Sequence, residues 1–162
     1  MSELKTESLK ELIGENCTKV IDFYSNHQPE TISAPDSNTN LLDIDGIIEE
    51  STEWDNGSAL SRIGIYIIAV TAGGNSVCID TNDMQDGDPA VLLIDHSFLY
   101  AEGDEVEIAN LPSNLNEDDY EYEDFEFSYE NVRKFVYQIE DRFTVFIQKF
   151  SNNEYSDLEE HL

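Results

Sequence analysis

Apolar residues recur at helical spacing near the start of the chain. An apolar side chain at every third or fourth position, with charged residues between, is typical of an amphipathic helix. We predict one helix of about twenty residues that runs through Gly14 and ends near Asn26–Pro29, because proline disfavours helical geometry in the preceding residue. Its apolar face consists of Leu9, Leu12, Ile13, Cys17, Val20, Ile21 and Tyr24.

The pattern changes twice before the centre of the chain. Residues 30–40 contain Pro35, Asp36, Ser37 and Asn38 and predict a loop. A short second helix is predicted around residues 41–51.

The centre of the chain has the pattern of β-strands. Short β-branched runs cover residues 63–70, 76–80 and 90–95, and Gly, Asn, Asp and Pro separate them. Such runs are typical of consecutive strands joined by hairpins. Residues 105–111 predict a further strand near an edge of the sheet.

The last third of the chain returns to helical spacing. Ser128 is predicted to be the N-cap, because its hydroxyl can accept a hydrogen bond from the first turn of the helix. The apolar face of this helix consists of Val132, Phe135, Val136, Ile139, Phe143, Phe146, Ile147 and Phe150. Helix, sheet and helix in blocks predict an α+β fold: a single domain, residues 1–162, with N- and C-terminal helices packed on one side of an antiparallel sheet.

The net charge narrows the classes of partner. The 162 residues include 36 Asp and Glu against 8 Lys and Arg, so the formal net charge is −28. A surface this negative repels nucleic-acid phosphates and anionic membranes, and it attracts basic partners. We therefore expect no binding to nucleic acid or membrane.

The densest charge lies in residues 117–126, called here the acidic strip. It has seven acids in ten positions, interleaved with Tyr120, Tyr122 and Phe125. Aromatic side chains often anchor interfaces, so one hypothesis is a partner-binding surface, and the other is a solvated loop that aids solubility. The residues predicted to bind a partner are Asp118, Asp119, Tyr120, Glu121, Tyr122, Glu123 and Asp124.

Two patterns superficially indicate chemistry. Asp95-His96-Ser97 has the residue types of a nucleophilic triad, but on a strand His96 would face away from both neighbours, so we predict no catalytic residue. Residues 80–88 resemble a calcium loop, but Met84 falls at the third ligand position and Val91 at the twelfth. A hairpin turn is favoured over weak calcium binding. We expect no required metal and no cofactor.

The remaining features concern burial and compartment. Trp54 is predicted to be half-buried against the core. Cys17 and Cys78 are the two cysteines, and neither has the spacing of a zinc site or a CxxC motif. The start of the chain lacks the pattern of a signal peptide, and no apolar run is long enough to span a bilayer. These features predict a cytoplasmic protein.

The turns and strand ends follow one another in a recognisable order. They comprise a Gly-Gly turn at Gly73-Gly74-Asn75, a strand ending in Asp80, a Gly/Pro turn at Gly87 and Pro89, a strand ending in Asp95-His96 and a closing helix that starts with Ser128-Tyr129. This succession resembles the SUKH superfamily, which includes fungal cell-wall assembly regulators and many bacterial immunity proteins. Leu-Pro and Asn-Gly-Gly, usual near the first helix of the family, do not occur between Leu12 and Gly46, so the chain resembles a divergent member. The matching residues are Gly73, Gly74, Asn75, Asp80, Gly87, Pro89, Asp95, His96, Ser128, Tyr129 and Phe135.

The resemblance implies a small α+β domain that binds without catalysing a reaction. Bacterial members neutralise a toxin domain, often a nuclease, encoded beside them. We therefore expect an immunity protein that holds a basic toxin domain, specifically a nuclease, through its acidic surface. The alternative is a regulatory scaffold of the cell-wall regulator type. An enzyme with an acidic site is disfavoured, because the sequence has no convincing nucleophile, metal cluster or phosphate loop.

Overall fold

The computed structural model describes residues 3–27, 29, 37–155 and 157–162. The predicted α+β class with an antiparallel sheet is confirmed. The α-helices are α1 (Glu3–Ile13), α2 (Thr18–Asn26), α3 (Ile44–Thr52), α4 (Asp55–Ser61), α5 (Tyr129–Phe135) and α6 (Phe143–Ser151). The strands are β1 (Thr39–Leu41), β2 (Ile65–Thr71), β3 (Ser76–Gln85), β4 (Asp88–Ile94), β5 (Leu99–Glu102), β6 (Glu105–Ile108) and β7 (Tyr137–Glu140).

The main sheet has the strand order β1-β2-β3-β4-β7, and all neighbours are antiparallel. Its three central strands confirm the runs predicted at residues 63–70, 76–80 and 90–95. The turn between β3 and β4 is shorter than predicted, because Asp86 and Gly87 have φ angles of 55° and 79°. Two left-handed residues suffice for a tight hairpin, so β3 continues to Gln85.

Helices α1, α2, α3 and α6 cover the first face of the sheet. Their core contains the rings of Phe23 and Phe143, whose centroids lie 5.6 Å apart. Tyr24 is fully buried, and its hydroxyl donates to the carbonyl oxygen of Leu42 at 2.7 Å. The sheet contributes Ile68, Val77, Ile79, Val91 and Leu93 to this core.

A second apolar core lies on the opposite face, beneath α4, α5 and the β5–β6 hairpin. It contains Leu60, Ile65, Ile67, Cys78, Leu92, Ile94, Phe98, Leu99, Ile108, Val132 and Phe135. The prediction that both terminal helical regions pack on one side therefore holds for α1, α2 and α6, whereas it is wrong for α5, which lies on the opposite face. Every residue of β4 is buried, as expected for a strand covered on both faces.

The predicted N-terminal helix is divided in two. Gly14 has a φ of +98°, and its N–H donates to the carbonyl oxygen of Lys10 at 2.9 Å. A glycine in the left-handed region commonly ends a helix, so α1 ends at Ile13 and α2 begins at Thr18. The predicted end near Asn26 is confirmed.

The predicted C-terminal helix is also wrong as one element. The chain leaves α5 at Val136 and forms β7, which pairs with β4, before α6 begins. Ser128 is confirmed as the N-cap, since its hydroxyl accepts from the N–H of Asn131 at 3.1 Å. The start of α6 is held by buried Asp88, whose carboxylate accepts from the N–H of Thr144 at 3.0 Å.

Other predicted elements have mixed outcomes. The second helix is confirmed as α3, but α4 was not predicted. Of the predicted loop, residues 30–36 lie outside the described residues, and Thr39–Leu41 forms β1 instead. The predicted strand at 105–111 is β6, which pairs with β5 in a separate sheet and not with the main one. Within the described ranges, the helices are too short and polar to cross a membrane.

Candidate functional site

The acidic strip is an ordered part of the second layer. It forms two 3₁₀ turns, Glu117–Asp119 and Tyr122–Phe125. The ring centroids of Tyr120 and Phe125 lie 4.9 and 6.5 Å from that of Phe135 in α5. These aromatic contacts hold the strip against the core.

Polar side chains of α5 also position the strip. The amide nitrogen of Asn131 donates to the carbonyl oxygens of Glu123 and Glu126, at 2.9 and 2.8 Å. Lys134 forms an ion pair with Asp124 at 2.5 Å. The hydrogen bond from Lys134 is the main cause that lowers the pKa of Asp124 from its ordinary value. The backbone of the strip is therefore held at several points.

The residues predicted to bind a partner divide into two groups. Tyr120 is half-buried against Phe135, and Asp124 is paired with Lys134, so both hold the strip in place. Tyr122 is 83% exposed, so nearly its whole ring is open to contact. The exposed members of the set are Asp118, Asp119, Glu121, Tyr122 and Glu123.

The β5–β6 hairpin extends the acidic surface. Its register places Tyr100 opposite Glu107 and Glu102 opposite Glu105, and all four side chains are exposed. Glu107 also forms an antiparallel bridge with Glu126 of the acidic strip. Like charges directly opposite each other across strands are destabilising. The hairpin and the strip therefore bring acidic residues opposite each other at Glu102–Glu105 and at Glu107–Glu126.

Asp95, His96 and Ser97 form a turn after the end of β4. The Asp95 carboxylate accepts from the N–H and hydroxyl of Ser97 at 2.8 and 2.7 Å, and it lies 3.6 Å from His96 Nδ1. The prediction that His96 faces away from Asp95 is wrong, because a turn replaces the strand. In a nucleophilic triad the histidine lies between the acid and the hydroxyl. Here the Asp95 carboxylate lies between the Ser97 hydroxyl and the His96 ring.

Ionisation of Asp95 reflects two opposing effects. Burial raises its pKa, but the hydrogen bonds from Ser97 and the proximity of His96 outweigh burial, and the net pKa is below its ordinary value. A carboxylate held ionised in this way stabilises the turn and is a poor proton donor.

The Gly-Gly turn between β2 and β3 is joined to His96. Asn75 Oδ1 accepts from the His96 backbone N–H and lies equally close to His96 Nδ1, both at 2.9 Å. Glu159 accepts from the N–H of Gly73 at 2.7 Å. A Cβ on Gly73 would lie 2.1 Å from the Glu159 carboxylate. The turn that contains Gly74 and the turn that contains His96 thus meet at one end of the sheet.

Asp80 is a fully buried carboxylate of β3. Arg133 Nε lies 3.1 Å from it, and the Tyr129 hydroxyl donates to it at 2.7 Å. Burial, followed by the hydrogen bond to Asp80, raises the pKa of Tyr129 to about 12, so the hydroxyl stays protonated. Asp80 therefore anchors α5 on the sheet.

The remaining motif residues lie at the other end of β3. A Cβ on Gly87 would lie 2.1 Å from the Thr18 hydroxyl, and Pro89 is buried in β4. Residues 80–85 are strand, so the calcium-loop alternative does not describe their conformation. In the part of the chain that the structure describes, no group of three or more His, Cys, Asp or Glu is arranged to hold a metal ion.

Trp54 is 58% exposed, so the prediction of half-burial is wrong. It lies on the short link between α3 and α4, which are packed so closely that a Cβ on Gly57 would lie 1.8 Å from the carbonyl oxygen of Glu50. The indole side chain lies at the surface. It lines a cleft of about 520 Å³ with Glu50, Asp55, Gly74, His96 and Ala101.

A concave region of about 600 Å³ lies between the end of β4, the start of β7 and residues 110–115. Its lining includes Lys134 and His161. Lys134 is paired with Asp124, and the ring of His161 stacks on Tyr137 with centroids 4.5 Å apart. Since these groups already have partners within the chain, the region does not indicate a ligand class.

The chain was also compared with known proteins. No match was found among protein-family models, curated proteins or solved structures. The surfaces that bear on its function are the acidic strip, the β5–β6 hairpin and the Trp54 cleft.

Proposed function

We propose that this protein is a SUKH-type immunity protein that binds a basic toxin domain, a nuclease, and neutralises it. Its role is binding, without catalysis, metal or cofactor. A nuclease that grips phosphates has a basic cleft, and the carboxylates of the acidic strip would occupy that cleft in place of the nucleic acid.

The observation that carries this proposal is Tyr122, an almost fully exposed ring on an ordered acidic strip. Tyrosine is enriched among the side chains that dominate binding energy at interfaces. A ring whose backbone is already fixed loses less conformational entropy on binding than one on a mobile loop. The anchoring of the strip by Asn131 and Phe135 therefore supports an interface over a solvated loop.

The distribution of charge supports a basic partner. The strip carries seven acids and residues 102–107 carry four, whereas residues 99–126 contain no Lys or Arg. The Glu107–Glu126 backbone bridge brings two residues of like charge opposite each other. A basic surface would relieve this repulsion on contact and would speed association through electrostatic steering.

The arrangement of Asp95, His96 and Ser97 supports the absence of catalysis. The serine hydroxyl donates to the aspartate and not to the histidine, so the three residues lack the order in which a histidine takes the proton of the serine. His96 instead lies against Asn75, where it joins two turns. A soluble, folded His96→Ala variant is expected to retain toxin binding and protection.

The test changes Asp118, Asp119, Glu121 and Glu123 together to Asn or Gln. We expect association with the toxin domain encoded by the neighbouring gene to slow about tenfold or more at low salt, with a shallower salt dependence. Tyr122→Ala should weaken binding by about 2 kcal/mol, mainly through faster dissociation. Stopped-flow or surface-based kinetics at low and high salt measure both effects.

A matched control removes the same number of charges from the first face of the fold, by changing Glu11, Glu15, Asp22 and Glu154. All four side chains are exposed. Equal kinetics for the two neutralised proteins would show that the strip is only a solubilising loop.

A neighbouring gene without a toxin-like domain, together with several host proteins that bind through the strip, would favour the regulatory scaffold instead.

A further inference from the structure

The cleft beside Trp54 is built from distant parts of the chain. The link between α3 and α4 contributes Trp54 and Asp55, and the turn between β2 and β3 contributes Gly74. His96 follows β4, and Ala101 belongs to β5. Asn56 donates to the carbonyl oxygen of His96 at 3.4 Å, so α4 is tied to the turn that borders the cleft. Contacts within the chain therefore fix the segments that line the cleft.

The aromatic wall is open to solvent. Trp54 is 58% exposed, although large apolar rings are usually well buried. The structure gives the indole no ring-stacking or cation–π partner among the described residues. A face of tryptophan attracts a cation more strongly than that of any other aromatic side chain.

The carboxylates of the cleft are also uncompensated. Among the described residues, no hydrogen bond or ion pair reaches the side chain of Glu50 or Asp55. Burial is the main cause that raises the pKa of Glu50, and nearby Glu49 raises it further. A partly desolvated carboxylate without a partner is stabilised when a cation approaches.

We propose that the Trp54 cleft receives an arginine side chain of the basic partner. A guanidinium group is planar, so it stacks on the indole while its N–H groups bond to the carboxylates of Glu50 and Asp55. The net charge of −28 makes basic partners the favoured class. This inference rests on the proposed function and assigns a second anchor to the same partner.

The position of the cleft fits one continuous interface. Ala101 of β5 lines the cleft, and Glu107 of β6 bridges to Glu126 of the acidic strip. The β5–β6 hairpin therefore lies between the two anchors, with its Tyr100 and Glu102 side chains exposed. A partner that spans the hairpin would reach both Trp54 and Tyr122.

The first experiment tests the cleft without the toxin. Trp54 is the sole tryptophan, so tryptophan fluorescence reports on this cleft alone. Titration with a hexaarginine peptide should give a saturable change in emission. The double variant Glu50→Gln/Asp55→Asn should weaken this affinity about fivefold or more, whereas a Glu11→Gln/Asp22→Asn control of equal charge should change it little.

The assignment of the cleft as an arginine site is refuted if the two double variants bind hexaarginine with equal affinity. It is also refuted if the peptide leaves the fluorescence emission of the wild-type protein unchanged. Far-ultraviolet circular dichroism verifies that both variants are folded. A hexalysine peptide that binds as tightly and changes the emission as much would also overturn the assignment, because the stacking argument requires a planar cation.

A second experiment separates this inference from the proposed function. With the neighbouring toxin domain, Trp54→Ala should speed dissociation about fivefold or more and leave the association rate nearly unchanged. Toxin binding with the same dissociation rate for Trp54→Ala would overturn the arginine anchor and leave the proposed function intact. Absence of any toxin binding, with the hexaarginine result retained, would overturn the proposed function and the toxin as the source of the arginine, and would leave the Trp54 cleft as an arginine-binding site.

Discussion

Carboxylates of this protein have different roles according to the groups that face them. Asp80 is buried with Arg133 and Tyr129 and anchors a helix. Asp124 pairs with Lys134 at the surface of the same helix. Glu121, three residues before Asp124, is exposed. Sequence spacing does not distinguish these roles, because each depends on a cation or hydroxyl that lies elsewhere in the chain.

Acid is expected to weaken the attachment of the strip to α5 through Asp124. Lys134 holds the folded-state pKa of this carboxyl below its ordinary 3.8. The ion pair therefore contributes stability above the ordinary pKa, and this contribution is lost as the pH falls through the lowered folded value. Carboxyl-carbon NMR titration of Asp124 measures the midpoint.

The control for this prediction is Lys134→Met, which keeps the side-chain length and removes the charge. Its Asp124 midpoint should rise towards the ordinary value. An identical midpoint in the two proteins would mean that the ion pair does not form in solution.

The helix that was predicted for the last third of the chain is divided between three elements, α5, β7 and α6. The apolar residues from Val132 to Phe150 follow one helical spacing, but they serve both faces of the sheet. Val132 packs on the second face, whereas Phe143 packs on the first. The chain crosses between the faces through β7, and a strand that pairs with β4 replaces the middle of the predicted helix.

Docking of α6 should depend on Phe143. Its ring is 1% exposed and contacts Phe23, so Phe143→Ala leaves a cavity in the first core. We expect the free energy of unfolding to fall by about 3–5 kcal/mol. Urea denaturation measures this change, with exposed Gln148→Ala on the same helix as the control, expected to change stability by less than about 0.5 kcal/mol. A cost below about 1 kcal/mol for Phe143→Ala would mean that α6 is not docked.

The charge of the whole molecule opposes its compact state. With 36 acids and 8 bases, most carboxylates have no cation to pair with. The ion pairs that form, such as Lys5–Asp45 at 2.8 Å and Lys149–Glu140 at 2.7 Å, use several of the few bases. A large net charge destabilises a folded chain through self-repulsion.

Salt should therefore stabilise this protein. Between about 10 mM and about 150 mM NaCl the Debye length falls from about 30 Å to about 8 Å, which screens repulsion over the acidic surface. We expect the free energy of unfolding, measured in urea at each salt concentration, to rise by an amount on the order of 1 kcal/mol. The variant neutralised at Asp118, Asp119, Glu121 and Glu123 should gain less. A loss of stability with salt would show that the ion pairs dominate instead.

Local sequence was sufficient for the central sheet, the N-cap of α5 and the character of the surface. Strands β2, β3 and β4 follow from short β-branched runs between turn residues, and the capping role of Ser128 follows from its hydroxyl and its place before an apolar pattern. Composition alone predicts the acidic surface. These features depend on neighbours in the chain or on a sum over all residues.

Long-range contacts were needed for the rest. The break at Gly14, the strand β7, the two-sided burial of the sheet and the exposure of Trp54 depend on which segments meet in three dimensions. The same holds for the candidate sites: Asn75 joins His96 across 21 positions, and Lys134 holds Asp124 across 10. Periodicity reports which side of an element is apolar, but it does not report which other element covers that side, and burial, pairing and charge compensation all follow from that choice.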